Sequence, residues 1–150
     1  MWTLKKYSSN NASSSDVIID FINQLGLKKK KNSYIVYLQP TSPLRNRKHI
    51  DKAIKSFLKN KKSSLISFKS SKKNNLKDYY IKNEKLLPLY PNALVANIEN
   101  LPKVYSPNGA IFIFKVTDFV KKKNLVFKNF HPFIMDYVSS IDIDYKEDYL

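Results

Sequence analysis

Cysteine is absent from the 150 residues, which excludes disulfide staples and thiolate metal sites and leads us to expect a cytoplasmic protein. Glycine is nearly absent: Gly26 and Gly109 are the only two, and neither sits in a glycine-rich loop of the kind that cradles phosphates. Arginine occurs only at Arg45 and Arg47. His49 and His131 are far apart and lack H-x-x-x-H spacing, so no zinc site is expected. No apolar run approaches the roughly 20 residues of a membrane span. Met1-Trp2-Thr3-Leu4-Lys5-Lys6 has no apolar stretch behind its charges, so no secretory signal is read there. Ser42 lacks the G-x-S-x-G setting of a hydrolase nucleophile.

Against these absences stands a formal charge of +15, with 43% hydrophobic and 13% aromatic residues. That apolar content belongs to a folding chain rather than a disordered one, and the length suits a single domain with its own core. Such a charge attracts polyanions in general. Yet the bidentate guanidinium favoured for phosphates and bases is scarce, and the lysines are spread over most of the chain. We read them as a solvated basic surface with no membrane as a partner, and a basic nucleic-acid-binding protein stays as the lesser alternative.

The apolar pattern alternates between helical and extended periods. Ser13-Ser14-Ser15-Asp16 offers N-caps to Val17, Ile18, Phe21, Ile22 and Leu25, which predicts a helix over 15–25, with Gly26 as its left-handed stop. Tyr34 to Leu38 is continuously apolar and predicts a strand buried on both faces, as in a parallel sheet. Ile50, Ala53, Ile54, Phe57 and Leu58 give a second amphipathic helix. Ser64 to Phe68 and Ala110 to Phe114 predict further strands, the latter after an Asn108-Gly109 turn. Asp78 to Tyr90 suggests a projecting hairpin, and a looser segment runs from there to about Pro107. A short helix near Thr117 to Lys122 and a strand near Phe133 to Tyr137 complete an α/β rhythm.

Two motifs can carry chemistry. Leu38-Gln39-Pro40-Thr41-Ser42-Pro43-Leu44-Arg45 follows a strand, where α/β sheets bind ligands. There the Gln39 amide and the Thr41 and Ser42 hydroxyls suit a polyol, although the same residues can form a purely structural turn. In Ser139-Ser140-Ile141-Asp142-Ile143-Asp144, alternation puts Asp142 and Asp144 on one side of an extended segment. They can share a hard cation such as Mg²⁺ or line a solvated acidic loop.

These motifs in this order, with the strand Pro107-Asn108-Gly109-Ala110-Ile111-Phe112-Ile113 between them, resemble the acylneuraminate cytidylyltransferases. That family forms CMP-activated sialic-acid-type sugars from CTP and releases pyrophosphate. The resemblance implies an α/β nucleotidyltransferase (Rossmann-like) domain on a mostly parallel sheet, with residues 78–106 as a projecting arm that makes a homodimer. It implies that Gln39, with Thr41 and Ser42, meets a nine-carbon acidic sugar. Ala12 and Ser14 would lie against the cytosine nucleoside, and Asp142 and Asp144 would hold Mg²⁺ against the CTP phosphates. No residue is assigned as catalytic acid or base.

The family's A-R-x-G-S-K triphosphate loop has no counterpart here. The resemblance therefore implies a single partial domain, expected as a truncated enzyme, a dimeric non-catalytic remnant, or half of a split enzyme completed by a second chain. The arginine of the family's R-Q-D-L-P segment, which meets the sugar carboxylate, is also replaced in Ile98-Glu99-Asn100-Leu101-Pro102.

Overall fold

The computed structural model describes residues 13–30, 32–60, 62–71, 75–125 and 128–149. The first helix, α1 (Ser14–Gln24), begins where the Ser13 hydroxyl accepts the Asp16 N–H at 3.1 Å, relieving one of the unpaired donors of the first turn. It buries Ile18 and Ile22 and stops before Gly26, whose φ of 61° is the left-handed value that glycine adopts without strain. Strand β1 (Tyr34–Tyr37) follows, then α2 (Arg47–Lys59). Asn46 and His49 cap α2 reciprocally, each side chain bonding the other's backbone N–H.

The remaining elements are β2 (Ser64–Ser70), β3 (Tyr79–Lys82), β4 (Lys85–Pro88), α3 (Pro91–Leu94), β5 (Tyr105–Lys115), α4 (Val116–Lys122) and β6 (Phe130–Met135). Four strands form one sheet in the order β1-β5-β2-β6. β5 runs antiparallel to both β1 and β2, and only β2 and β6 pair in parallel. The fold is thus α/β, but the mostly parallel sheet expected from the sequence is corrected to a mixed, mostly antiparallel one. The cause is the insertion of β5 between β1 and β2. A continuous apolar run reports burial on both faces, which an inner strand has whichever way it points.

Alternation along β5 divides the core. Ile111 and Ile113 pack with Ala53 and Phe57 of α2, Leu65 and Met135. Phe112 and Phe114 turn to the other face, against Ile18 and Ile22 of α1 and Phe119 of α4. The Phe114 and Phe119 rings stack with centroids 4.8 Å apart, and truncating so buried a ring typically costs about 3–5 kcal/mol. Helices therefore cover both faces of the sheet.

β3 and β4 form a separate two-stranded sheet. Their turn residues, Asn83 and Glu84, have φ of 50° and 61°, the pattern of a type I′ hairpin turn. The expected hairpin is present. Its side chains Ile81 and Leu86 are 74% and 66% exposed, so among the described residues nothing covers its apolar face. The last strand begins at Phe130, three residues earlier than the sequence suggested. Among the described residues, no helix is long and apolar enough to cross a membrane.

Candidate functional site

The β1–β5 ladder ends at the pair Tyr37 and Phe112. Beyond it the chain turns out of the sheet through Gln39-Pro40-Thr41-Ser42-Pro43, since Pro40 and Pro43 have no N–H to continue a ladder. Arg45 closes the gap this leaves. Its Nη1 donates to the carbonyls of Gln39 and Ala110, each at 2.8 Å. Partial burial draws the guanidinium pKa down from its ordinary value, though a guanidinium remains protonated in proteins. From the far side, the Ile143 N–H donates to the Thr41 carbonyl at 2.8 Å. That bond joins the two motif segments, which lie about a hundred residues apart in sequence.

The third wall is a bulge in β5. Between the pairs Ile66–Phe112 and Phe68–Pro107, five steps of β5 face two of β2. Extra residues of this kind leave ladder donors without strand partners. Here side chains replace them: the Ile111 N–H donates to Ser67 Oγ at 2.7 Å and the Ala110 N–H to Asn108 Oδ1 at 3.2 Å. Ser67 Oγ donates in turn to Asn108 Oδ1 at 2.5 Å. Asn108 Nδ2 donates to Ser140 Oγ at 2.8 Å, and Ser140 Oγ donates to the Asp136 carbonyl at 2.6 Å. Ser67, Asn108 and Ser140 are all buried, and a buried network satisfied at this many points holds its members rigidly. The Asn108-Gly109 pair is therefore no turn ahead of the strand, as the sequence suggested; it lies inside β5 and shapes the bulge.

Gly109 sits at the focus, with φ of 71°. A Cβ built there would overlap Gln39 Oε1 and lie 3.1 Å from Asp142 Oδ2. A glutamine amide oxygen and a carboxylate oxygen thus face one notch, left open because Gly109 has no side chain. Asp142 Oδ1 is buried without a hydrogen-bond partner among the described residues, as is Ser42 Oγ. An unpaired buried carboxylate oxygen is costly, and a cation is one remedy. Among the described residues, no group of three or more His, Cys, Asp or Glu converges as a ready-made metal cage.

The other expected positions fall as follows. Thr41 is half-buried and Ser42 is 2% exposed, which leaves Gln39 and Thr41 as the more open of the loop's polar side chains. Asp144 is exposed and donates its N–H to Asp148 Oδ2 at 2.9 Å. Ser14 Oγ accepts the Tyr37 hydroxyl at 3.1 Å, tying α1 to the end of β1 that leads into the loop. Ala12 lies outside the described residues.

Beside the bulge, the Ile98–Pro102 segment lines a cavity of about 600 Å³ with Ser70, Lys103, Tyr105 and Ile134. Behind the site, Asp136 is held by Ser139. The Ser139 Oγ donates to one carboxylate oxygen and its N–H donates to the other at 2.9 Å. Those bonds, the hydroxyl's first, lower the Asp136 pKa from the usual carboxylate value, with His49 adding a smaller pull from 3.9 Å.

Sequence reasoning passed over Arg45, Ser67, Asn108 and Ser140 as members of this arrangement. Ser67 carried a readable signal, a small polar residue within the apolar run Leu65-Ile66-Ser67-Phe68.

No protein-family model matches the chain. It is similar to the N-acylneuraminate cytidylyltransferase of Streptococcus agalactiae serotype V, 26% identical over 148 residues. The enzyme of the same name from serotype III is 27% identical. In both comparisons 95% of this chain is covered, but the chain spans about a third (34%) of the relatives' length. It is also 28% identical over 116 residues to the post-translational flagellin modification protein B of Campylobacter coli, covering 77% of this chain and 49% of that one. The resemblance drawn from the motifs thus extends along nearly the whole sequence.

Proposed function

We propose that this chain forms the sugar- and metal-facing part of a cytidylyltransferase site, which joins CMP from CTP to a nine-carbon acidic sugar and releases pyrophosphate. The observation that carries the reading is the convergence of Gln39 and Asp142 on the notch over Gly109. The similarity to N-acylneuraminate cytidylyltransferases supports it. In this reading the fold is that of a nucleotidyltransferase domain. The Gln39 amide and the Thr41 hydroxyl orient the sugar so that its anomeric hydroxyl is in line with the α-phosphorus. Lys103, in the wall of the neighbouring cavity, supplies positive charge for the sugar carboxylate as a point charge rather than a bidentate clamp. In the same reading Ser14 would contact the nucleoside.

The donor set fits a hard divalent cation such as Mg²⁺: two aspartates with oxygen donors, one of them buried and unpartnered. When bound, that ion would offset the negative charge that develops on the phosphate oxygens. Asp142 and Asp144 would hold it, and Ile143 between them is fixed to the Thr41 carbonyl. The triphosphate-binding loop of the family is not in this sequence, so a segment or second chain that carries it belongs to the same proposal. The uncovered apolar face of the β3–β4 hairpin supports a homodimer built through that arm.

The test uses the 150-residue chain with Mn²⁺ as a paramagnetic stand-in. Mn²⁺ with CTP is expected to broaden the amide resonances of Gly109 and Ile143 first, and Asp142→Ala with Asp144→Ala should abolish that broadening. Broadening centred elsewhere, or unchanged in the double variant, overturns the metal assignment. Pyrophosphate release on adding an N-acylneuraminate then reports turnover once the segment or chain that carries the triphosphate loop is supplied.

A further inference from the structure

We propose that Arg45 is a positioning residue whose guanidinium sets the Gln39 side chain over the Gly109 notch. This inference deepens the reading above and rests on it for the identity of the ligand. Continuing the β1–β5 register past Tyr37–Phe112 would set Gln39 opposite Ala110, where backbone bonds would occupy both carbonyls. Instead β1 leaves the sheet at that step, and one nitrogen of Arg45 accepts the role of both missing partners at 2.8 Å each.

The two carbonyls it joins belong to the residue whose amide enters the notch and to the residue directly after Gly109. Arg45 therefore sets the distance between the two backbones that form the notch. Its own N–H is turned back toward the Ser42 carbonyl at 3.4 Å, so the loop it braces is also the loop that carries it. A lysine there could donate as a point charge but lacks the planar fork. Arg47, the other arginine, pairs with Asp51 one helical turn away on the exposed face of α2, which a lysine could do as well.

The experiment is NMR on the uniformly ¹⁵N-labelled 150-residue chain, without ligand. In the wild type, the Gln39 side-chain amide is expected as a dispersed pair of resonances with restricted motion. In Arg45→Gln it should collapse to the averaged position of free glutamine side chains, while the amides of Leu65 and Ile113 in the core keep their shifts. A Gln39 amide that stays ordered in a folded Arg45→Gln protein overturns the proposal.

If that variant does not fold, rotation of the Arg45 guanidinium in the wild type decides. Hindered rotation supports the two hydrogen bonds to the Gln39 and Ala110 carbonyls, and free rotation overturns the proposal. Titrating the wild type with CTP and Mg²⁺ tests the functional reading separately. Absence of any shift there defeats that reading, whereas the order of the Gln39 amide still decides the role of Arg45.

Discussion

Replacing Gly109 by alanine separates the site from the fold. Two costs arise and fall on different parts of the molecule. The first is conformational: φ at Gly109 is 71°, and an L-residue held there loses roughly 1–2 kcal/mol. About 0.4–1 kcal/mol of that is offset because alanine stiffens the unfolded chain. The net loss of stability is therefore about 1 kcal/mol, a fall in Tm of roughly 2–4 °C for a chain of this size.

The second cost is steric. The new Cβ would overlap Gln39 Oε1, the far end of a flexible side chain, and stand 3.1 Å from Asp142 Oδ2. The amide can rotate away, so this clash removes Gln39 from the notch without unfolding anything. Thermal unfolding with titration of CTP, Mg²⁺ and an N-acylneuraminate should show near-normal stability and strongly weakened sugar binding. In a Gln39→Ala background, Gly109→Ala should keep its stability cost but weaken binding little further, the non-additivity expected of two groups in contact. Full sugar binding in Gly109→Ala refutes the argument. So does a stability loss above about 3 kcal/mol, since the backbone would then be absorbing the clash.

Asn108→Ala strips acceptors from Ser67 Oγ and the Ala110 N–H and a donor from Ser140, and should cost about 3 kcal/mol in urea unfolding, because buried groups left unpaired cost about 1–3 kcal/mol each. For Asp136, the pKa lies lower in the folded state than the usual unfolded value near 3.9. Its contribution is therefore full above about pH 4 and lost as pH falls through the lowered folded value; a wild-type stability curve that is no steeper below pH 4 than that of Asp136→Asn contradicts this linkage. Ile81→Asp, on the exposed hairpin, should shift sedimentation from dimer to monomer while leaving the core intact, and a wild-type chain that is already monomeric at high concentration counts against the arm as an interface.

How much of the fold was legible depended on which interaction the sequence records. α1 and α2 were readable because each writes its buried face at helical spacing, Ile18 and Ile22 in the one and Ala53 and Phe57 in the other, and α1 also announces its cap at Ser13. The hairpin was readable from its turn. Strand direction was not, because Val36, Leu65 and Ile113 are apolar for the same reason whichever way their strands run. Only the pairing of β5 with both β1 and β2 decides that, and pairing is a property of distant segments. The Asn108-Gly109 pair misled for a related reason. Such a pair is a turn signal taken alone, and becomes a bulge only when Ser67 and Ser140 are close enough to satisfy what the bulge exposes.

The site divides along the same line. Gln39 and Asp142 could be named in advance because each belongs to a short motif with its own chemistry. The residues that make them one site could not, since the bonds by which Arg45, Ser67, Asn108 and Ser140 join the segments reach partners 6 to 65 positions away. These bonds run to backbone carbonyls and N–H groups or to small hydroxyls, and none is implied by local spacing. The consequence bears on how the site tolerates change. Side chains that face the notch can be exchanged without harming the fold, whereas the bracing residues carry both stability and geometry. A substitution that loses binding at constant stability therefore identifies a residue of the notch, and one that loses both identifies its frame.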